Sequence, residues 1–244
     1  MRQEGDYRMS ENSIQAAHEL FNKALDYSRQ GKGAEEKAAY DVIIRRFADS
    51  SDPETRRLVA KSLLNKGVVS AQSIRFDEAC ELFDEVIEKF KNTTDPELQL
   101  RVAGALVNKG VVFTQQGRVE DAHAVYQEVV DRYSASHEPL LKEQVTKALL
   151  NRGVLFGRQG KLADERAMYN EIVQYVGEAA DTGLKVMVAR ALFNKAMTFA
   201  RQMQLEEANR IYDEIIDRFG AAEDPALKEQ VSRVPADRGM SYHF

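Results

Sequence analysis

The phrase "NKGVVFTQQGR" at residues 108–118 returns almost unchanged as "NRGVLFGRQGK" at residues 151–161. Weaker copies are "NKGVVSAQSIR", which begins at residue 65, and "NKAMTFARQMQ", which begins at residue 194. The asparagines that open these phrases, together with Asn22, are spaced 43 residues apart without insertion or deletion. Self-similarity at a fixed period of this length is the signature of a repeat protein.

Other positions of the sequence keep the same register. A leucine stands two residues before each asparagine, an aromatic residue 18 after it and a β-branched residue 21 after it. The leucines are Leu20, Leu63, Leu106, Leu149 and Leu192. The aromatic residues are Tyr40, Phe83, Tyr126, Tyr169 and Tyr212, and the β-branched residues are Ile43, Val86, Val129, Ile172 and Ile215. We expect all three columns to be buried.

Each repeat is predicted to form two α-helices. Four prolines, each preceded by an acidic residue, suit the first turn and the N-cap of the first helix; they are Pro53, Pro96, Pro139 and Pro225. Gly31, Gly117 and Gly160 suit its C-terminal end. Apolar residues within 119–133 recur at helical spacing rather than alternating. No segment is predicted to be a strand, so the fold class is all-α.

One helix pair cannot bury its apolar face alone, but stacked pairs can. The pattern resembles the tetratricopeptide repeat (TPR), whose conserved positions correspond here to Leu106, Gly110, Phe113, Gly117, Ala122, Tyr126 and Val129. The period of 43 exceeds the usual 34 and resembles the repeats of kinesin light chains and peptide-pheromone receptors. The resemblance implies a right-handed α-solenoid of antiparallel helix pairs. Ile74 and Met203 replace its glycine, and Glu36 and Glu165 replace its alanine.

The repeat register sets the predicted domain boundaries. Residues 1–15 are an N-terminal extension, and residues 16–230 contain the five repeats. The repeats are 16–58, 59–101, 102–144, 145–187 and 188–230. A capping helix is predicted over 225–234, because Pro235 interrupts the next repeat, and residues 235–244 form a tail. An alternative is that the solenoid continues in a longer parent protein.

Composition excludes several classes of function. The chain has no apolar run of 18 residues and begins with the polar stretch "MRQEGDYRMSENS", which predicts neither a membrane span nor a secretory signal. A single cysteine, Cys80, fits a reducing cytoplasm. The net charge of −5 and the absence of a Lys/Arg block argue against nucleic-acid binding. His18, His123, His137 and His243 do not recur in the repeat, and we predict no metal, no cofactor and no catalytic site.

The asparagine column lies on a second stripe of the first helix. At 100° per residue the asparagine points away from the leucine two positions earlier, so it is not part of the packing face. Its stripe is polar and basic, with one apolar residue in the middle. The resemblance implies that first helices line a concave groove, where such asparagines bond the backbone of a peptide and nearby cations attract a carboxylate. The predicted groove residues are Asn65, Asn108, Asn151, Asn194, Lys61, Lys147, Arg158, Arg190 and Arg201.

Two alternatives to ligand binding concern these columns. Each asparagine could bond a neighbouring helix and fix the register of the solenoid. The basic column that follows it is predicted to be structural, forming ion pairs between helices with a glutamate column 19 residues later. The basic residues are Lys23, Lys66, Lys109, Arg152 and Lys195, and the glutamates are Glu85, Glu128, Glu171 and Glu214.

The sequence therefore predicts a protein–protein interaction module that holds an extended or acidic peptide segment of a partner in its groove. The alternative is a structural scaffold that associates with itself as a homo-oligomer, because the ends of a solenoid can expose apolar surface.

Overall fold

The computed structural model describes residues 2–178 and 181–234, with side chains from residue 14 onward. This part of the chain contains eleven α-helices and no strand. The helices are α1 (Arg2–Arg29), α2 (Gly33–Phe47), α3 (Pro53–Gln72), α4 (Phe76–Phe90), α5 (Pro96–Gln115), α6 (Val119–Tyr133), α7 (Pro139–Arg158), α8 (Leu162–Val176), α9 (Thr182–Arg201), α10 (Leu205–Phe219) and α11 (Pro225–Ser232). The predicted all-α class, with five helix pairs and a single helix after them, is confirmed.

The helices form two compact units, residues 1–116 with α1 to α5 and residues 117–244 with α6 to α11. In the first unit, α3 packs against α1, α2, α4 and α5. In the second, α9 packs against α7, α8, α10 and α11. Within each unit, α3 and α9 therefore contact both their own second helix and the first helix of the next repeat, as expected for stacked helix pairs.

The structure describes the predicted N-terminal extension and the capping helix, but not the predicted C-terminal tail. Helix α1 begins at Arg2, so the backbone of the predicted extension runs into the first repeat without a break. The predicted capping helix corresponds to α11, whose Leu227 is buried. The predicted tail over 235–244, with Pro235 and His243, lies outside the described residues.

The predicted caps determine where the first helices begin. The side chains of four aspartates accept hydrogen bonds from backbone N–H groups of the first turn; they are Asp52, Asp95, Asp181 and Asp224. Glu138 occupies the same position without a side-chain bond. Such bonds satisfy N–H groups that have no partner within the helix.

The first helices end at one left-handed residue. Gly31, Gly117 and Gly160 have φ of 68°, 72° and 71°, as the sequence predicts. The two exceptions adopt the same conformation, with φ of 59° at Ile74 and 60° at Met203. The backbone hydrogen bond that closes the turn is also kept, from Arg75 N to Ser70 O at 2.9 Å for example. The turn geometry is thus set by the repeat and not by the residue that occupies it.

The three predicted core columns are buried. All five aromatic and all five β-branched residues are inaccessible or nearly so, as are four of the leucines, whereas Leu20 of the first repeat is half-buried. Small residues allow the close contact of the paired helices. A Cβ atom on Gly153 would lie 2.7 Å from Cε1 of Tyr169, so this glycine allows α7 and α8 to approach.

Candidate functional site

In two repeats the asparagine of the first helix bonds the second helix of the preceding repeat. Nδ2 of Asn65 on α3 donates a hydrogen bond to the hydroxyl of Tyr40 on α2 at 3.1 Å. That hydroxyl in turn donates to Oε1 of the buried Glu36 at 3.3 Å. Burial raises the pKa of Tyr40, and the bond from Asn65 acts in the opposite direction. Asn65 therefore has a structural bond, the alternative that the sequence left open.

The same arrangement recurs three repeats later with an added cation. The hydroxyl of Tyr169 donates to Oε1 of the buried Glu165 at 3.2 Å. Burial first, and the Glu165 carboxylate next, raise the pKa of Tyr169, whereas a hydrogen bond from Asn194 lowers it. Nη2 of Arg201 donates to both carboxylate oxygens of Glu165, at 2.8 and 2.6 Å. Arg201 is thus anchored on α8 although it belongs to α9.

Asn108 differs from these two asparagines. The residue 25 positions before it is Phe83, which has no hydroxyl group to accept a bond. Within the described part of the chain, Asn108 makes no hydrogen bond to another side chain or to the backbone outside its helix. Its half-buried amide instead lines a pocket of about 150 Å³ between α3 and α5. The pocket is uncharged and is lined by Val68, Ala71, Gln72, Phe83, Asn108, Val111, Val112 and Gln115.

A second pocket occupies the equivalent position between α7 and α9, with a volume of about 330 Å³. It is lined by Val154, Gly157, Arg158, Glu165, Tyr169, Asn194, Met197 and Arg201. In both pockets the predicted polar stripes of two adjacent first helices form the walls, and the aromatic residue of the second helix between them forms part of the lining. The pockets differ in charge, because the second has Arg158, Arg201 and Glu165 in its lining, whereas the first has no charged residue in its described lining.

Four of the nine predicted groove residues therefore line these two pockets: Asn108, Arg158, Asn194 and Arg201. The other cations lie outside them. Nζ of Lys61 is 3.5 Å from Oε2 of Glu97, and Nζ of Lys147 is 3.3 Å from Oε2 of Glu143. Arg190 is exposed and forms no ion pair with any residue that the structure describes.

Three residues of the basic column after the asparagines bond the preceding second helix. The predicted glutamate partner is wrong for Lys66 and Lys109, whereas Glu171 does interact electrostatically with Arg152. Lys66 pairs with Asp41 at 2.6 Å and Lys109 with Asp84 at 2.5 Å, not with Glu85 or Glu128. Arg152 likewise donates to Oε1 of Gln127 at 2.5 Å. These partners stand 25 residues earlier, next to the aromatic column, because each first helix packs on the preceding second helix. Glu128 and Glu214 pair within their own helices, with Arg132 and Arg218.

Sequence reasoning missed the part that Glu165 plays in the second pocket. The sequence shows it as an exception in a column that is alanine at Ala79, Ala122 and Ala208. This departure from alanine is visible in the sequence, but the cation that Glu165 binds, Arg201, is 36 residues away and belongs to the next repeat. Only the packing of α8 against α9 connects the two residues.

Other features of the described residues add no further chemistry. They contain no cluster of His, Cys, Asp and Glu suited to hold a metal ion. No helix among them is long and apolar enough to cross a membrane. A pocket of about 370 Å³ with Lys185 and Arg218 in its lining lies at the opposite end of α9 and outside the asparagine stripe.

Comparison with known families agrees with the geometry of the helix pairs. Models of the tetratricopeptide repeat match residues 71–137 and 115–183, and another matches residues 190–221. Together these matches span more than half of the chain, which therefore belongs to the tetratricopeptide repeat family. This fold generally serves as a non-catalytic scaffold for protein–protein interaction. No curated protein matches the sequence.

Solved structures with the same fold are distant in sequence. The chain is similar to BtubC (BKLC) from P. vanneervenii, with a TM-score of 0.70 and 14% identity over 91% of this chain and 88% of that one. A tetratricopeptide repeat protein from Parabacteroides merdae ATCC 43184 gives 0.55 and 17%, over 90% and 72%. NprR in complex with its cognate peptide NprX gives 0.56 and 14%, over 90% of this chain and 59% of NprR.

Proposed function

We propose that the protein binds an extended peptide segment of a partner protein across its first helices. The observation that carries this proposal is the pair of equivalent pockets, each lined by the polar stripes of two adjacent first helices. The similarity to NprR, whose structure contains a bound peptide, supports it. Within one unit, the adjacent first helices offer neighbouring polar positions that an extended peptide can occupy in succession.

The asparagines are proposed to read the backbone of the peptide. A side-chain amide has two N–H donors and a carbonyl oxygen with two lone pairs, so it can bond a peptide group regardless of sequence. Asn108 has these groups available, and Asn194 uses only part of its capacity on Tyr169. Asn65 and Asn151 extend the column, and the predicted cations Lys61, Lys147, Arg158, Arg190 and Arg201 lie along the same helices.

The test combines partner capture with short peptides. Partners captured from the source cell are identified by mass spectrometry and displayed as overlapping 15-residue peptides, which are probed with the purified protein. We expect one linear segment to bind, and the double variant Asn108→Ala with Asn151→Ala to weaken it while the helical circular dichroism is retained. Each amide lost from a desolvated contact costs about 1 to 3 kcal/mol of binding free energy. Binding is expected to weaken with added salt.

Three results would count against the proposal. Unfolding of the double variant would make the column structural. Full binding by a folded double variant would place the partner elsewhere. Capture of the same chain alone, with a mass in light scattering that rises with concentration, would favour the self-associating scaffold.

A further inference from the structure

The pocket between α7 and α9, here called the charged pocket, differs from the pocket between α3 and α5, the neutral pocket, at several equivalent positions of the repeat. The charged pocket has Arg158 and Arg201 where the neutral pocket has Gln72 and Gln115, and Glu165 lines it at the column where the earlier repeat has Ala79. A fourth change, Gly157, makes room for Glu165, because a Cβ atom at Gly157 would lie 2.6 Å from Oε1 of Glu165. The residue at that column in the neutral pocket is Ala71. The buried glutamate, the glycine and the two arginines thus form one arrangement.

Glu165 fixes the direction of Arg201. The carboxylate is 4% exposed and accepts two bonds from Nη2 of Arg201, which also bonds Oγ1 of Thr198 at 3.1 Å. A guanidinium group has five N–H donors in a planar fork, so anchoring one nitrogen leaves donors on the other two. Because Arg201 also lines the pocket, these remaining donors are available to a ligand there.

The balance of charge limits what the pocket can accept. The carboxylate of Glu165 compensates the charge of Arg201. Arg158 is exposed and has no ion pair within the described ranges, so the pocket has one uncompensated positive charge. Val154, Met197 and Tyr169 supply apolar surface beside it. An anion with an aliphatic stem and a single charge matches this lining. A dianion would be placed near the carboxylate of Glu165 with only one free cation to compensate it.

We propose that this pocket binds a glutamate or aspartate side chain of the partner segment, with Arg158 and Arg201 as its guanidinium partners and Glu165 as the positioning residue that restricts the pocket to one negative charge. The proposal rests on the proposed peptide-binding function and specifies the residue that is bound in the second unit. It also predicts discrimination against phosphorylated side chains, which carry close to two negative charges at neutral pH.

The test uses fluorescein-labelled nonapeptide pools and the full-length protein. All peptides are acetylated and amidated, with Ala, Leu, Ser and Gly mixed at the eight flanking positions and Glu, Gln, Lys or phosphoserine at the centre. Fluorescence anisotropy is expected to give about five-fold tighter binding of the Glu pool than of the Gln pool, the upper range for one exposed ion pair. The phosphoserine pool is expected to bind no tighter than the Glu pool. General attraction to a chain of net charge −5 would instead favour the Lys pool.

Variants assign the preference to named residues. Arg158→Gln and Arg201→Gln should each abolish the preference for Glu over Gln, whereas Arg210→Gln, which changes an exposed arginine of α10 outside the pocket, should keep it. Glu165→Ala installs the residue that three other repeats have at this column and should therefore fold, as a thermal melt can verify. Since it leaves two uncompensated cations, it should reverse the order so that phosphoserine binds about three-fold or more tighter than Glu.

Each failure has a different meaning. Equal binding of the Glu and Gln pools, or a Glu preference that survives in both arginine variants, overturns the acidic anchor while peptide binding stands. An unchanged order in a folded Glu165→Ala overturns the role of Glu165. A Gln pool with a free C-terminal carboxylate that outcompetes the amidated Glu pool assigns the pocket to a chain terminus and overturns the side-chain proposal. No binding of any pool overturns the acidic anchor, whereas the proposed function is decided separately by the overlapping peptides of the captured partner.

Discussion

The amide of Asn65 is held by a tyrosine hydroxyl, whereas the amide of Asn108 lies in a pocket beside a phenylalanine ring. The two residues occupy the same column and similar burial, so they form a matched pair. Asn65→Ala is expected to lower the free energy of unfolding by about 1 kcal/mol, the net value of a typical hydrogen bond, because the buried hydroxyl of Tyr40 loses a donor. Asn108→Ala should change it by less than about 0.5 kcal/mol. Urea unfolding measures both.

A double-mutant cycle identifies the bond that is responsible. In a Tyr40→Phe background the hydroxyl is absent, and Asn65→Ala should then be as neutral as Asn108→Ala. A loss of stability that persists in that background would show that Asn65 acts through packing and not through the hydroxyl. The sequence contained both residues, but it did not show which column of the preceding repeat faces the asparagine.

His123 is a residue whose charge opposes folding. Burial first, and the cations Arg152 and Lys161 next, lower its pKa below the usual 6.5. Its ring packs on Phe156 with centroids 4.5 Å apart. In the unfolded chain this histidine is protonated as the pH falls through about 6.5, whereas in the folded chain it is protonated only at lower pH. Its protonation therefore does not lower the free energy of unfolding above this pH and lowers it progressively as the pH falls below it.

The prediction is a fall of Tm between pH 7.5 and 5.5 that is smaller in His123→Asn, which installs the residue found at this column in Asn209. Differential scanning calorimetry at several pH values measures the slopes. Carboxylates with ordinary pKa values titrate mostly below this window, which separates the two contributions. Parallel slopes for the protein and its variant would exclude His123 as the source.

At the scale of the helical element, the sequence predicts the ends of the helices best. It predicts least well which residues of two packed helices face each other. The N-caps at Asp52 and Asp95 are local signals, because capping depends on residues within one turn. The contact of Lys66 with Asp41 depends on how α3 packs on α2, which no local signal encodes. This is why the burial columns and helix pairs followed from the sequence, whereas the partners of the basic column did not.

The turn between α3 and α4 contains the clearest case of stored strain. Ile74 has φ of 59° although it is β-branched, and its side chain is 75% exposed, so little burial offsets the cost. Ile74→Gly is expected to stabilise the protein by about 1 kcal/mol, since only glycine adopts this conformation without a steric penalty. Ile74→Ala is the matched control, because it removes the same apolar surface but keeps a Cβ atom. Equal Tm values for the two variants would show that the turn is not strained.

The packing stripe of the first helices is tested at Leu106. This residue is 1% exposed on α5, at the column that the sequence assigned to the core. Leu106→Ala should lower the free energy of unfolding by about 2 to 5 kcal/mol if the cavity does not collapse. Chemical denaturation followed by circular dichroism provides the value. A cost below about 0.5 kcal/mol would contradict the assignment of this stripe to the core.

At the scale of the whole molecule, stability is expected to be local. In a repeat array each repeat is stabilised by its neighbours, so a substitution destabilises mainly the helices that are in contact with it. The contacts of α9 within its unit are with α7, α8, α10 and α11. Leu192, which is 1% exposed on α9, is therefore a suitable site at which to weaken one part of the array.

Hydrogen exchange followed by mass spectrometry separates local from global loosening. Leu192→Ala is expected to accelerate exchange about 30-fold or more in α9, α10 and α11, which corresponds to the lower limit of about 2 kcal/mol for such a cavity. The effect should be smaller in α7, which contacts α9 but is also supported by α6, a helix that does not contact α9. Exchange in α3 and α4 should remain at the unsubstituted rate, because the solenoid transmits stability from neighbour to neighbour and the loss is divided at each step. A uniform acceleration across all helices would mean that the array unfolds as one cooperative body. In that case a peptide that stabilises one repeat would stabilise every other repeat as well, whereas we expect the stabilisation to remain local.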